Sequence, residues 1–170
     1  MISKEIQNAL NAQINHEFWS GYLYLSMACH FEAEGRKGIA NWFRIQFKEE
    51  QDHAEIFINH LNARGARVEL APVKEVPTSW ESPLAAFTAT LEHEKNVTQS
   101  IHSIYALAEK EQDFATRQML NWFIAEQVEE EENVRDILDN LNLIGDSGVG
   151  LYQIDAELAK RSYAKPSILK

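Results

Sequence analysis

Turn-forming residues are scarce in this chain. Seven glycines and four prolines stand in 170 residues, about half of the roughly 12% that the two contribute to an average protein. A sandwich or barrel of short strands draws on those residues at nearly every reversal, so many-turned β architectures are nearly excluded. The one cysteine, Cys29, leaves no partner for an intrachain disulfide, no thiolate zinc site and no Cys-x-x-Cys redox pair. A reducing compartment is the simpler expectation, and Cys29 itself reads as a small core filler. No run of eighteen apolar residues occurs, and the opening stretch MISKEIQNALNAQ is polar at every second or third position. Neither a membrane span nor a signal peptide is expected. Basic residues are outnumbered, 16 against 26 acidic, for a net charge of -10. Nucleic-acid binding would begin with repulsion from phosphate, and cations are the favoured partners. The expectation is a cytoplasmic protein that engages neither nucleic acid nor membrane.

What the chain has instead is length between breaks. Its 45% hydrophobic and 25% charged residues suit one globular domain over residues 1–170. The breakers gather at Gly35 and Gly38, from Gly65 to Pro72 with Pro77 and Pro83, and at Gly145, Gly148 and Gly150; none lies between Pro83 and Gly145. That stretch is too long for one ordinary helix, and Glu109 to Asp113 supplies the turn, with Asp113 as the next N-cap. Four helices are predicted, over about 4–34, 38–63, 83–110 and 114–142, so that the bundle covers about 4–142. Ser82 before Pro83 is a strong start signal, because serine caps and proline is tolerated at the first helical position.

Helical period supports each assignment. Leu10, Glu17, Tyr24 and Phe31 recur every seven residues beside Ile14, Gly21 and Ala28. In the second helix Phe43, Phe47, Ala54, Phe57 and Leu61 flank Glu50; in the third Phe87, Leu91, Val97, Ile101 and Ile104 bracket Glu94. Leu120, Phe123, Val134, Ile137 and Leu141 bracket Gln127 and Glu130 in the fourth. Short links make two antiparallel hairpins, while about twenty residues separate the second helix from the third. Twenty extended residues reach at most ~65 Å and a 27-residue helix is ~40 Å long, so this link can run the length of the bundle and make those two helices parallel. A short fifth helix is expected over about 149–161, where Leu151, Ile154 and Leu158 form an apolar strip too small to stand without a neighbour.

Each of the four stripes carries a polar residue of ligand type near its middle: Glu17, Glu50 with His53, Glu94, and Gln127 with Glu130. Glu17 and Glu50 are 33 residues apart, as are Glu94 and Gln127, and His53 and Glu130 each follow three later. A lone glutamate in a helical stripe is ordinarily an edge residue, and Glu-x-x-His alone is a weak motif. Four stripes with matched spacings and matched levels are not explained by a bundle with frayed polar positions. One pocket would gather four glutamates and one histidine, a donor set that suits iron or manganese and, through bridging carboxylates, a dinuclear centre. Tyr24 lies one heptad from Glu17 on the same face and could serve as core filler or in a redox or hydrogen-bonding role. Glu49, Glu126, Glu129 and Glu130 form a second acidic cluster that shares Glu130 with the first. His16, His30, His60, His93 and His102 fall outside the repeat and are expected at the surface or behind the ligands.

With these residues in place the sequence resembles the ferritins, most of all the bacterial non-haem ferritins, over essentially its whole length. The resemblance rests on Glu17, Glu94, and Glu50 with His53, plus Gln127-x-x-Glu130 in place of the second Glu-x-x-His that bacterioferritins carry. It implies an all-α, ferritin-like four-helix bundle with one long crossover and a short fifth C-terminal helix. It implies an iron-storing ferroxidase that oxidises Fe(II) with O2 or peroxide. Glu17, Glu50 and His53 would hold the first iron, and Glu50, Glu94 and Glu130 the second, with Gln127 beside it. Glu49, Glu126, Glu129 and Glu130 match a third iron site, and Tyr24 the tyrosine near the centre. The family's hollow cage of twenty-four subunits would give the fifth helix its neighbours at a four-fold axis. No haem is expected, since the only methionines are Met1, Met27 and Met119 and the haem-ligating methionine of bacterioferritins lies on the second helix. A rubrerythrin-like peroxidase would add a Cys-x-x-Cys module, and a DNA-protecting mini-ferritin lacks the fifth helix, so both fit worse.

Overall fold

The computed structural model describes residues 2–169, and among them there is no strand. Five α-helices follow in order: α1 Lys4–Ala33, α2 Lys37–Ala63, α3 Pro83–Lys110, α4 Phe114–Ile144 and α5 Gly148–Leu158, with a short 3-10 turn at Ser167–Leu169. The architecture is the expected four-helix bundle with a short fifth helix. Four starts carry a side-chain cap, the first where Ser3 Oγ accepts from Ile6 N at 3.1 Å. Ser82 Oγ accepts from Ala85 N at 3.1 Å, Asp113 Oδ1 accepts from Thr116 N at 3.1 Å, and Ser147 Oγ accepts from Gly150 N at 3.1 Å. Asp113 also receives both terminal nitrogens of Arg64, at 2.8 and 3.1 Å, which ties the start of α4 to the end of α2.

Two boundaries differ from expectation. α4 runs to Ile144, and Gly145, at φ +53, makes the turn that ends it. The side chain of Ile144 then lies so close to Gly150 that a Cβ there would come within 2.8 Å of it. α5 stops at Leu158 instead of about 161, because Asn41 Nδ2 donates to the carbonyls of Leu158 and Arg161, at 3.2 and 3.0 Å, and draws the chain off the helical path.

The long link between α2 and α3 is a crossover laid along α1. Asn11 donates to Arg67 O at 3.1 Å, Asn15 to Ala71 O at 3.1 Å, Trp19 Nε1 to Glu75 O at 3.2 Å and Ser26 Oγ to Pro77 O at 2.7 Å. Asn11, Asn15 and Trp19 are spaced four apart, so one edge of α1 pins the link as both ascend together. The backbone of the link thereby finds partners without forming secondary structure, and α3 starts at the end of the bundle where α2 started.

The core comes in two parts. One cluster holds Ile6, Leu10, Ile14, Phe57, Leu61, Val97, Ile101, Leu120 and Phe123; the other holds Tyr24, Met27, Phe31, Ile39, Phe43, Phe87, Val134 and Ile137. On every helix of the bundle the ligand-type residues fall between the stretches that serve the two clusters. A polar layer therefore crosses the bundle at mid-height, fixed by apolar packing above and below.

α5 closes on its own bundle. Leu151, Ile154 and Leu158 pack, partly buried, against the second cluster of the same chain, where α2 and α4 are neighbours of the strip. Gly38 permits the contact, since a Cβ there would lie 1.6 Å from Asp155 O, and Asp155 Oδ1 accepts from Ile39 N at 2.9 Å, serving α2 where Arg36 provides no side-chain cap. Cys29 is exposed, against expectation. Ala28 and Phe31 occupy the buried stripe, and one further residue turns the chain about 100° toward solvent.

Candidate metal centre

The stripe of each helix delivers its polar residue to the mid-height layer. Glu17, Glu50, His53, Glu94, Gln127 and Glu130 are all between 0% and 3% exposed, and Tyr24 is fully buried. Ligand atoms of Glu17, Glu50 and His53 lie within 4.8 Å of one another, as do those of His53, Glu126 and Glu130. His53 thus faces two groups at once. Its Nδ1 is 3.4 Å from Glu50 Oε2 and its Nε2 is 4.0 Å from Glu126 Oε1. Trp122 and Phe123 meet the imidazole edge-on at 5.6 Å and hold the ring's plane.

The remaining predicted residues sit around these triads. Glu94 lies outside both: it accepts from the Tyr24 hydroxyl and, at 3.1 Å, from Gln127 Nε2. Glu49 is partly covered and paired with Arg161, and Glu126 is half-buried, while Glu129 points to solvent. Glu49, Glu126 and Glu130 nevertheless share one side of the layer, close enough that the charge of Glu49 raises the pKa of both other carboxyls.

Two glutamines that sequence reasoning passed over belong to the site. Gln13 donates to Glu17 Oε1 at 2.8 Å, and Gln46 donates to Glu130 Oε2 at 2.8 Å. A signal existed for both, because each stands four residues before a stripe glutamate and the two are again 33 apart. His93 is buried as well, bonded to Ser20 Oγ at 2.8 Å and edge-on to Tyr24 at 6.0 Å.

Burial governs the charges here. It lifts Glu17 well above the usual carboxylate range, helped by Glu50, and lifts Glu50 likewise, helped by Glu94 and Glu130. Glu130 is pushed up to about 8, by burial first and then by Glu94 and Glu49. Glu94 is raised by burial, against the bonds from Tyr24 and Gln127. The acids cannot all ionise together in a dry space without a compensating cation. Their free atoms agree: Glu17 Oε2, Glu50 Oε2 and His53 Nε2 are buried without a hydrogen-bond partner. Such orphaned donor atoms, converging from two helices, fit cation ligands and fit little else.

His93 gives a test of the polar layer that does not depend on metal. Burial, with His16 beside it, lowers its pKa from 6.5 to about 4. Between those values the unfolded chain binds a proton that the folded chain refuses, so stability falls as pH drops through 6.5 toward 4. His93→Gln, which keeps a bond to Ser20, is expected to flatten that part of the profile. Melting temperatures of both proteins across this window would check it, and parallel curves would contradict it.

Helical bundle, crossover and a mid-height layer of acids around His53 are the arrangement described for ferritin-like carboxylate proteins. Residues 7–144 match the ferritin-like domain, and the chain belongs to that family. It is 40% identical to the bacterial non-heme ferritin of Bacteroides fragilis over 161 residues, covering 95% of this chain and 100% of that protein. To the bacterial non-heme ferritin of Staphylococcus aureus it is 37% identical over 163 residues, 96% of this chain and 98% of that protein. Its fold superposes on the open pore ferritin of the hyperthermophilic archaeon Archaeoglobus fulgidus with a TM-score of 0.94, at 48% identity, covering 95% of this chain and 100% of that one. Membership of this family supports a role in iron storage, and the layer is compatible with a di-iron site. No described helix is long and apolar enough to cross a membrane.

Proposed function

We propose that the chain is a ferroxidase that stores iron: it oxidises Fe(II) at a dinuclear site and deposits the product as a ferric oxide mineral inside a cage of twenty-four copies. The observation that carries this reading is the set of orphaned, buried ligand atoms on Glu17, Glu50 and His53. Those three residues hold the first iron. Glu50, Glu94 and Glu130 hold the second, with Gln127 beside it. Glu49, Glu126, Glu129 and Glu130 hold a third, weaker position, which the unpartnered Nε2 of His53 also faces. Iron is substrate and cargo, and no haem takes part. The 170 residues act as one domain, in a reducing cytoplasm where Fe(II) is available.

Hard carboxylates stabilise Fe(III) over Fe(II) and so favour electron loss. Two Fe(II) ions give up one electron each, and O2 takes both with two protons to become peroxide; peroxide as oxidant takes two electrons and two protons to become water. Carboxyls that burial keeps protonated release protons as the ions bind. Tyr24, bonded to Glu94, orients that carboxylate and stands within reach as a further electron donor.

Anaerobic Fe(II) titration followed by stopped-flow oxidation tests the scheme. Two tight equivalents per chain and one weaker are expected. In the Glu49→Ala, Glu126→Ala double variant the first two irons should still oxidise rapidly, while the weaker equivalent is lost and the iron-to-oxidant ratio changes. Absence of tight binding in the parent refutes the whole reading. An unchanged ratio and turnover in the double variant return the outer acids to a solvated surface.

A further inference from the structure

The segment beyond α5 folds back over α2. Its carbonyls at Leu158 and Arg161 are held by Asn41. Further on, the Tyr163 hydroxyl donates to Asp52 Oδ2 at 2.6 Å, Lys48 Nζ lies 5.4 Å from the Tyr163 ring, and Leu169 packs on the first core cluster. Between these anchors the segment passes the outer acidic cluster, and Arg161 reaches into it. The guanidinium lies 4.9 Å from the centre of the Trp42 ring, Nη1 donates to Trp42 O at 3.4 Å, and Nη2 donates to Glu49 Oε2 at 2.8 Å. Both members of this pair are largely covered, with side chains 23% and 18% exposed.

The two sides of the cluster are therefore unlike. Glu49 already has a cation. Across from it, His53 Nε2 is buried with no partner, and His53, Glu126 and Glu130 converge within 4.8 Å. Apart from His53, the only basic side chain paired with Glu49, Glu126, Glu129 or Glu130 among the described residues comes from the segment after α5, not from the bundle.

We propose that Arg161 is a tethered cation that competes with metal for Glu49, so that the segment after α5 sets the affinity of the third position separately from the first two. This rests on the assignment of that position above. An ion gains Glu49 only in molecules where the guanidinium has left it, and its apparent affinity falls by that fraction. Like charge between ion and guanidinium lowers it further. The displaced arginine does not diffuse away, because Asn41 on one side and Asp52 on the other hold the segment in place, and the face of Trp42 offers it a resting position. Arg161 is bonded to none of the ligands assigned to the first two irons, and its charge acts on Glu130 only as the weakest of five influences, so those two sites change far less than the third.

Calorimetric titration of the assembled, metal-free protein with Zn(II) tests this without any oxidation. Parent, Arg161→Gln, Arg161→Ala and Arg161→Lys are compared under one buffer. Two tight equivalents per chain are expected in all four. The third is expected to bind about three- to tenfold more tightly in the Gln and Ala variants, as suits loss of a partly exposed ion pair, with Lys near the parent. In crystals of the zinc-loaded parent Arg161 should stand off Glu49. A third equivalent that is unchanged or weaker in the Gln and Ala variants, or that no variant binds, overturns the proposal while the first two sites stand. Failure of the parent to bind even two equivalents refutes the dinuclear reading instead. Should the Ala variant not assemble, the Gln variant, which retains a donor for the Trp42 carbonyl, decides.

Discussion

Replacing His53 by alanine is expected to slow rapid Fe(II) oxidation by at least about a hundredfold while the bundle and its assembly persist. His53 is the only nitrogen ligand in the layer and belongs to both groups of converging atoms. Its imidazole also favours the ionised form of the carboxyls of Glu17, Glu94, Glu126 and Glu130. Without it the carboxyls hold their protons to higher pH, and an entering ion must displace them with one ligand fewer. Apolar clusters above and below carry the fold and do not pass through this side chain, so melting of the apo-protein should change little. Glu94→Ala is expected to fail for a different reason. It removes a carboxylate from the second iron and leaves the Tyr24 hydroxyl and Gln127 without their shared acceptor. Stopped-flow traces at two Fe(II) per chain would measure both, with light scattering to confirm assembly. Variants that oxidise iron at the parent rate would show that the pocket has been misassigned.

How much of this could be read from sequence differs between the layer and its surroundings. Glu17, Glu50, His53, Glu94, Gln127 and Glu130 were legible because each interrupts an apolar stripe whose phase is fixed over several turns, and a helix converts that phase into a direction. Helix starts at Ser82 and Asp113 were legible because capping is local chemistry. Contacts made when the chain returns on itself carry no such phase. Arg161 lies in a stretch without period, and contacts made on folding, from Asn41 to its carbonyl and from its own side chain to Trp42, bring it to Glu49. Leu151, Ile154 and Leu158 revealed that α5 needed a neighbour but not which one; the approach of Gly38 to Asp155 puts α2 of the same chain against it. Cys29 shows the limit on a single helix, where a residue beside the stripe is indistinguishable by type from one within it.

A mass of about twenty-four chains, each of 19.5 kDa, is expected by size exclusion with light scattering. Two groups stand out among the apolar side chains that remain exposed after α5 has packed. Tyr22, Leu70 and Val73 are exposed where the crossover runs beside α1, and Leu143, Val149 and Tyr152 are 84%, 73% and 74% exposed around the start of α5. One isologous patch makes a dimer and stops there, whereas a closed shell needs at least a second, separate contact. The α5 patch is the natural second contact, since it is small, terminal and remote from the ligands. Val149→Lys with Tyr152→Lys places like charges where copies would meet and leaves Leu151, Ile154 and Leu158 to hold α5 on its bundle. The double variant should fall to smaller assemblies, while the oxidation rate per chain at two Fe(II) stays near that of the parent, because every ligand precedes Glu132. Among the structural relatives are an open pore ferritin of Archaeoglobus fulgidus and an engineered closed form of it, so electron microscopy should accompany the mass to show how this chain's copies close. A parent that is a stable dimer at neutral pH and low concentration would end the cage reading and leave an oxidase without a store. A double variant that keeps the full mass would move the second contact away from α5.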